Sequence, residues 1–545
     1  MKKLLFFLFV PCTLAAQAQR LSKQQVDDLF WLAKGWGYLK YHHPAVISGK
    51  HNWDSVLLAG IDDIQKGKSR QSPLNNLMQA AGAYEATGTP YIPDSLFTFT
   101  DFSWIDRLPT LEQQQYFNNM KFLARPEEQR YVTNNTPLGK TGWGLFDADS
   151  AFKSTTTFNG KVGLLMLFRY WNAFNYFAPY KNLVRHNWDT VLVQLIPKFY
   201  SVKTRVELLK LCEHLGSLTN DGHSFLSARP IDSLYGLHVP PFTLKFAQGK
   251  YVVHESRNDT LFAQTGLQPG DIILKKDGVA IDKIVNGRIP YTVQPNEGFL
   301  YYRIGLDLLN TNKDSVELTV VREGKPLTKK VQALPYSKIP PQRGKPVWTK
   351  MEGNVAFVQL NRLRKDTLPT FFKDISGTNA LIIDARGYPR FDTWYEMLSY
   401  LQNKNEPFVY WQNAYLPLPG YFYYQTSDTD FYWVQPKADQ YTGKIYLLVD
   451  ESCGSLGEAF PQSIHYLTKA TTVGSQTGGF NGNITWVSVP GGGGLAFSGL
   501  GVLSRNIHQT QQSGIHINYE VKPSIKGISE KRDEVLEAAL QLATK

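Results

Sequence analysis

The sequence predicts a multidomain α/β protein with three successive regions: helical hairpins, a β-rich module and a layered α/β core. Three observations predict this order. An aromatic repeat recurs in the first half, strand-like alternation marks residues 240–335, and apolar strands alternate with helices from about residue 345. With 545 residues, of which 42% are hydrophobic and 13% aromatic, the chain has enough apolar surface for several packed domains.

Residues 1–18 predict a secretory signal peptide. Lys2 and Lys3 precede the apolar run Leu4–Val10, and Ala16-Gln17-Ala18 forms a small-x-small cleavage site. We therefore expect a periplasmic or secreted protein. No later apolar run reaches the roughly 18 residues that a membrane-spanning helix needs, so no membrane span is expected.

Charge and cysteine content narrow the functional classes. The formal charge is +11, but the lysines and arginines form no block, so we expect no nucleic-acid partner. After signal removal only Cys212 and Cys453 remain, and we expect both to be free and buried. No Cys, His and carboxylate set has metal-ligand spacing, and the run Gly491–Gly494 lacks a following Lys-Ser/Thr. We expect no metal and no cofactor.

Residues 19–150 and 151–239 each contain one copy of an internal repeat. Trp36 and Trp171 begin equivalent segments 135 positions apart, and Trp53 and Trp188 follow at identical spacing. Each copy predicts an aromatic-faced helix, a proline-ended turn and a second helix, so we expect two related helical hairpins that pack together. Residues 85–150, rich in Pro, Gly, Thr and Asp, predict irregular structure with a few strands.

Residues 240–335 resemble a PDZ domain. The typical run of a small residue, Gly-Leu and Gly-Asp-x-Ile is present as Ala263, Gly266-Leu267 and Gly270-Asp271-Ile272-Ile273. The resemblance implies capture of an extended peptide by strand addition to a sheet edge, with a polypeptide substrate or its C-terminal tail as partner.

Residues 345–545 predict an α/β core of largely parallel strands. Ser455 lies between the apolar run Ile445–Val449 and a helical segment, in a turn that contains glycine. A serine in such a turn is a common helix N-cap, but it also lies where helix N–H groups stabilise an oxyanion.

The segment Ser452–Glu458 resembles the nucleophile motif of the carboxyl-terminal processing, or tail-specific, proteases. The resemblance implies a ClpP/crotonase-like core with Ser455 as nucleophile. In the segment Val473–Phe480, which resembles the stretch that carries this family's catalytic lysine, Phe480 occupies the lysine position. A Ser–Lys dyad is therefore excluded there.

The tricorn-core branch of these proteases uses a histidine instead. Asp221-Gly222-His223-Ser224 resembles its motif, which implies that His223 is the general base. The segment Tyr519–Ile525 resembles the stretch next to the branch's glutamate, but direct matching puts Ile517 at that position. Glu520 or Asp221 then remains as the orienting acid.

By the same resemblance, the backbone N–H of Leu456 contributes to the oxyanion hole. The second donor would come from the loop after Asp384-Ala385-Arg386. Pro389 in this loop has no N–H, so Arg390 would supply the amide.

These patterns predict an exported serine endopeptidase that cleaves polypeptides near a captured tail through a Ser–His acyl-enzyme mechanism. Two alternatives remain open. One is a catalytically inactive peptide-binding scaffold on the same fold, and the other is an esterase or small-ligand binder.

Overall fold

A computed structural model gives the fold of the protein. It describes residues 20–50, 52–68, 71–84, 92–120, 123, 129–138, 141–146, 152–228, 234–341, 346–402, 409–426, 435–504 and 509–545. The predicted signal peptide, residues 1–18, lies outside the described residues. No helix within the described ranges is long and apolar enough to span a membrane.

The described helices fall into an N-terminal group, a central group and a core group. They are α1 Lys23–His42, α2 Pro44–Ile47, α3 Trp53–Gln65, α4 Gln71–Ala81, α5 Leu111–Asn119, α6 Gly160–Phe177, α7 Trp188–Tyr200, α8 Arg205–Ser217, α9 Asp259–Thr265, α10 Ile281–Arg288, α11 Glu297–Asp307, α12 Leu368–Asp374, α13 Phe391–Leu401, α14 Leu456–Thr468, α15 Ile525–Ser529 and α16 Glu534–Ala543.

The described strands form several sheets. They are β1 Phe97–Thr98, β2 Thr133–Leu138, β3 Thr141–Leu145, β4 Leu226–Ser227, β5 His238–Val239, β6 Phe242–Ala247, β7 Lys250–Ser256, β8 Ile272–Lys276, β9 Val279–Ala280, β10 Ser315–Arg322, β11 Lys325–Gln332, β12 Leu334–Pro335, β13 Trp348–Met351, β14 Val355–Gln359, β15 Ala380–Asp384, β16 Val409–Ala414, β17 Tyr421–Thr426, β18 Lys444–Val449, β19 Thr471–Gly474, β20 Ile484–Ser488, β21 Gly494–Ser498, β22 Gly501–Ser504 and β23 Tyr519–Glu520.

Each repeat is closed by a reciprocal pair of tryptophan hydrogen bonds. The indole N–H of Trp36 donates to the carbonyl of Trp53 at 2.9 Å, and the indole N–H of Trp53 donates to the carbonyl of Trp36 at 3.0 Å. Trp171 and Trp188 repeat this arrangement at 2.8 and 3.2 Å. All four indole donors are thus satisfied in a buried setting, which explains the identical tryptophan spacing.

The two hairpins pack through equivalent positions, as expected. Arg169 pairs with Asp54, and Lys34 pairs with Asp189 at 2.7 Å. Lys34 and Arg169 are equivalent positions of the 135-residue repeat, and so are Asp54 and Asp189. The two ion pairs are therefore counterparts. The hairpins are therefore related by an approximate two-fold axis.

The irregular structure expected for residues 85–150 is interrupted by helix α5. Its N-cap, Thr110, accepts the N–H of Gln113 at 3.2 Å, and Phe117 is fully buried. The mainly polar sequence of this helix carries little apolar periodicity, and for that reason it was missed.

Residues 240–335 form the expected β-rich module. Its antiparallel sheet has the strand order β11-β10-β8-β7-β6, and β9 pairs with β8 beside it. Helix α9 ends at Gly266, whose φ of +66° is a left-handed conformation that glycine adopts at no steric cost. Strands β6 and β11 are the two edges of this path.

The core contains a sheet of order β13-β14-β15-β18-β19-β23, which is parallel from β14 onward. The apolar run Ile445–Val449 corresponds to β18, which begins one residue earlier. The N-terminal region completes other core sheets, because β1 pairs with β17 and β4 pairs with β21. The helical hairpins and the core also share one hydrophobic cluster, in which Phe174 contacts Phe497.

Candidate active site

Ser455 lies in a strained turn between β18 and α14. Its backbone has φ 55° and ψ −127°, a conformation rarely adopted by residues other than glycine, at a cost of about 1–3 kcal/mol. The surrounding structure enforces this turn, because the N–H of Ser455 donates to the carbonyl of Phe480 at 2.7 Å. Gly478 likewise donates its N–H to the carbonyl of Cys453 at 2.7 Å. A strained serine between strand and helix is the geometry of a nucleophile turn.

His223 reaches the core through the chain that follows α8. The short strand β4 pairs with β21 of the core, and this pairing brings residues 218–227 against the loops around Ser455. The imidazole is almost completely buried, and burial lowers its pKa while the nearby Asp221 carboxylate opposes that change. A neutral imidazole at neutral pH is suited to accept a proton.

Asp221 and His223 are joined through Ser498 at the end of β21. The His223 Nδ1 atom lies 2.8 Å from the Ser498 hydroxyl, and that hydroxyl donates to Asp221 at 2.9 Å. Asp221 also accepts the N–H groups of Ser498 at 2.6 Å and His223 at 3.1 Å, and the Gln511 amide at 3.2 Å. Ser498 was missed because a serine at a strand end carries no motif.

Glu520 is not part of this cluster. It lies on β23, is exposed, and pairs with Lys522 at 2.6 Å. The sequence prediction of Glu520 as orienting acid is therefore not supported by its position, whereas the alternative, Asp221, lies beside the histidine. In the structure, Glu520 lies at the edge of the core sheet, where β23 pairs with β19.

The Phe480 ring lies between the backbones that precede His223 and Ser455. A Cβ added to Gly222 would lie 2.3 Å from this ring, and one added to Gly454 would lie 2.2 Å from it. The ring is perpendicular to the His223 imidazole at a centroid distance of 5.0 Å. The Nε2 atom of His223 is buried and has no hydrogen-bond partner among the described residues.

The first turn of α14 offers a backbone N–H for an oxyanion. Within the part of the chain that the structure describes, the N–H of Leu456 has no acceptor. The loop before α13 packs on the same turn, with the Cδ atom of Pro389 3.7 Å from a Cβ placed on Gly457. Arg390 follows as the N-cap residue of α13, and its exposed side chain pairs with Asp392 at 3.1 Å.

The ion pair of Asp384 and Arg386 anchors that loop rather than contacting Ser455. Arg386 donates to both oxygens of Asp384 at 2.8 and 2.9 Å, and to both oxygens of Asp533 at 3.0 and 2.6 Å. Asp533 caps α16, so the arginine fixes the loop to the C-terminal helix.

Glu458 is a second buried carboxyl beneath the nucleophile turn. One of its oxygens accepts the N–H of Gly479 at 2.7 Å and the Thr477 hydroxyl at 3.0 Å. Burial raises the pKa of Glu458 to about 7, because these hydrogen bonds offset only part of the desolvation. The carboxyl thus holds together the two segments that shape the site.

Cys212 and Cys453 are free and buried, as predicted. The Cys453 thiol lies 3.3 Å from the carbonyl of Ala385, and burial raises its pKa well above the ordinary value. The thiol is therefore a poor nucleophile here. Across the described ranges, no group of three or more His, Cys, Asp or Glu side chains is arranged to hold a metal ion.

Comparisons with known proteins are consistent with this geometry. Residues 354–521 match the family model described as Peptidase family S41. The structure of mature CPAF complexed with lactacystin is 15% identical with a TM-score of 0.54, and the alignment covers 71% of this chain and 98% of that chain. A second structure of mature CPAF is 14% identical with a TM-score of 0.53, covering 71% and 97%.

A putative peptidase from Parabacteroides merdae ATCC 43184 is 14% identical with a TM-score of 0.44, covering 71% of this chain and 97% of that chain. No curated protein matches the sequence. At such identities the CPAF structures show the fold alone, and the chemistry comes from the family match. With an S41 match across residues 354–521, the protein is a serine-type peptidase.

Proposed function

We propose that the protein is an exported serine endopeptidase that cleaves polypeptides near a captured tail. The observation that supports this most directly is the strained backbone of Ser455 at the head of α14, beside a Leu456 N–H that finds no acceptor among the described residues. A hydroxyl and an unpaired amide at one helix N-terminus are the two groups that acyl transfer requires.

In the proposed mechanism Ser455 attacks the scissile carbonyl carbon, and His223 Nε2 accepts the seryl proton. The Leu456 N–H, with a second amide from the loop around Arg390, stabilises the tetrahedral oxyanion. Collapse breaks the C–N bond, and His223 returns the proton to the leaving amine. Water then attacks the acyl-enzyme by the same route and releases the new carboxylate.

Ser498 and Asp221 are positioning residues in this mechanism. The Nδ1–H of His223 would donate to the Ser498 hydroxyl, which donates to Asp221. This chain fixes the tautomer that leaves Nε2 free to act as a base. In this structure Ser455 and His223 form no hydrogen bond, so catalysis requires their approach to about 2.6–3.2 Å.

The β-rich module is the proposed tail-binding element. Its resemblance to a PDZ domain and its edge strand β6 suit an extended peptide that adds to the sheet. Lys245 on β6 bonds to Asp450 and Glu451 at 2.7 Å each, and these two acids begin the segment that leads to Ser455. A tail held at this edge would therefore lie close to the nucleophile turn.

Labelling with a fluorophosphonate probe tests the mechanism. We expect the full chain to be labelled at Ser455, and labelling to be lost in Ser455→Ala and His223→Ala. Ser452→Ala is the matched control, since that hydroxyl lies in the same turn but donates to the Asp450 carboxylate. A chain that never reacts and cleaves no peptide would instead favour the inactive scaffold.

A further inference from the structure

A surface cavity of about 420 Å³ opens between the two repeated hairpins, away from Ser455. It lies among α1, the segment 101–107 and the first turns of α7. Its lining combines charged, polar and apolar side chains: Phe30, Asp101, Arg107, Asn187, Asp189, Thr190 and Val193. This volume is within the range of small-molecule sites in proteins, about 300–1,000 Å³.

The approximate two-fold axis supplies an internal comparison. The counterpart pair, Arg169 and Asp54, is closed, with side-chain exposures of 0% and 9%. At the cavity, Lys34 is 4% exposed, but its partner Asp189 is 32% exposed. The same ion pair is therefore sealed in one half of the repeat and opened to solvent in the other.

The charges around the cavity are of both signs and are incompletely paired. Lys34 engages one oxygen of Asp189, and Asp101 accepts the N–H of Ser103 at 2.8 Å. Arg107 makes no ion pair with any of the described residues. Lys181, behind the cavity, bonds to the carbonyl of Phe99 at 3.3 Å, and burial lowers its pKa to about 8.

This arrangement selects against ligands with a single sign of charge. Two carboxylates disfavour a polyanion, and the cations Arg107, Lys34 and Lys181 disfavour a polycation. A small molecule with one carboxylate and one ammonium group can pair with both the cations and the carboxylates of the cavity. Phe30 and Val193 offer apolar contact for its side chain.

We propose that this cavity binds a short zwitterion, a free amino acid or dipeptide. Arg107 receives its carboxylate, and Asp101 and Asp189 receive its ammonium group. The site does not require the proposed peptidase mechanism, although peptide hydrolysis would release ligands of this class.

Titration calorimetry with L-alanyl-L-phenylalanine tests the inference in the full chain carrying Ser455→Ala, which prevents hydrolysis. The probe is compared with its N-acetylated form, its C-amidated form and free phenylalanine. We expect the uncapped dipeptide to bind, and each cap to weaken binding roughly tenfold or more, since each removes one charge-assisted contact. Free phenylalanine shows whether a single residue suffices.

Two variants assign the contacts. In Arg107→Ala, the C-amidated dipeptide should bind with the same affinity as the uncapped one. In Asp101→Asn, the N-acetylated dipeptide should bind with the same affinity as the uncapped one. Arg532→Ala, which removes an exposed arginine that pairs with Glu537, should bind like its parent.

Absence of dipeptide binding at millimolar concentration overturns the inference, as does binding that Arg107→Ala leaves unchanged. Fluorophosphonate labelling of Ser455 in Arg107→Ala, made without the Ser455 change, separates this outcome from failure of the peptidase mechanism. Labelling should persist there, because no residue that lines the cavity belongs to the segments around Ser455 and His223.

Discussion

In the proposed mechanism, Ser498 and Asp221 determine which nitrogen of His223 acts as the base. The Ser498 hydroxyl occupies the place next to Nδ1, where a carboxylate acts directly in the familiar triad, and Asp221 lies one hydrogen bond farther away. The acid therefore influences the imidazole through a hydroxyl and through space.

We expect Asp221→Asn to lower kcat/KM for a peptide substrate by roughly 10²–10⁴-fold, the range set by loss of the triad carboxylate. The acid limb of the pH profile should move to lower pH. Asp221 raises the pKa of His223, so its removal lets burial lower that pKa further.

Ser498→Ala should also lower kcat, with little effect on KM, because this hydroxyl is buried and engaged by His223 and Asp221. Asp282→Asn and Ser488→Ala are the matched controls and should behave like wild type. An unchanged acid limb in Asp221→Asn would show that the carboxylate has only a structural role.

The sequence could propose Ser455 and His223 because each lies in a short motif with a resemblance to a known family. It could not propose Ser498, whose neighbours Ala496 and Phe497 form an ordinary buried strand. The proposed role of Ser498 depends on the pairing of β4 with β21, a contact between segments far apart in the chain. Glu520 shows the opposite case. A local sequence match suggests it as the orienting acid, but its exposed side chain pairs with Lys522, and a local match cannot reveal that position.

Secondary structure shows the same contrast between local sequence signals, which predict an element, and long-range contacts, which the sequence does not reveal. Core strands with continuous apolar runs leave a strong signal, and the run Ile445–Val449 indicates β18 to within one residue. Helix α5 was missed because its packing depends on a few side chains, among them Phe117. The repeat was visible, but its two-fold packing was established only by the contacts of Gly37, Asn172 and the ion pairs.

The close contact of α1 with α6 depends on Gly37 and Asn172, which are equivalent positions of the repeat. A Cβ on Gly37 would lie 1.9 Å from Cγ of Asn172, whose amide is held by the carbonyls of Ala33 at 3.1 Å and Phe168 at 2.9 Å. The amide cannot move aside without losing both hydrogen bonds.

We expect Gly37→Ala to lower the free energy of unfolding by about 1–3 kcal/mol, as is typical of overpacked cores. The double variant Gly37→Ala, Asn172→Ala should recover part of this loss, because it removes the obstructing side chain. Gly287→Ala is the control, since a Cβ there meets no atom within 4 Å. Urea denaturation measures all three, and equal losses in the single and double variants would contradict the steric explanation.

The β-rich module and the core are joined by a buried ionic cluster. Lys245 lies on β6 and bonds to Asp450 and Glu451, and the hydroxyl of Ser475 donates to Glu451 at 3.1 Å. Lys245 holds the pKa of Asp450 well below its ordinary value, in opposition to burial. Through this cluster the position of the module affects the segment that ends at Ser455.

We expect Lys245→Met to destabilise the folded protein by about 3–5 kcal/mol, because it leaves a buried carboxylate without its partner. The difference in unfolding free energy between wild type and Lys245→Met should have its full value above the unfolded-state pKa of Asp450, near 4. It should shrink as the pH falls below that value. Below that value the unfolded chain binds a proton that the native carboxylate resists, so the contribution of the pair is lost.

Urea denaturation between about pH 3 and pH 7 measures this difference, and fluorophosphonate labelling of the same samples reports the nucleophile turn. Lys245→Met should label more slowly than wild type under conditions where both remain folded. Lys275→Met, on strand β8 of the same sheet and exposed, is the matched control. A stability difference independent of pH would mean that Lys245 acts by packing alone. An unchanged labelling rate would mean that the β-rich module does not influence the reactivity of Ser455.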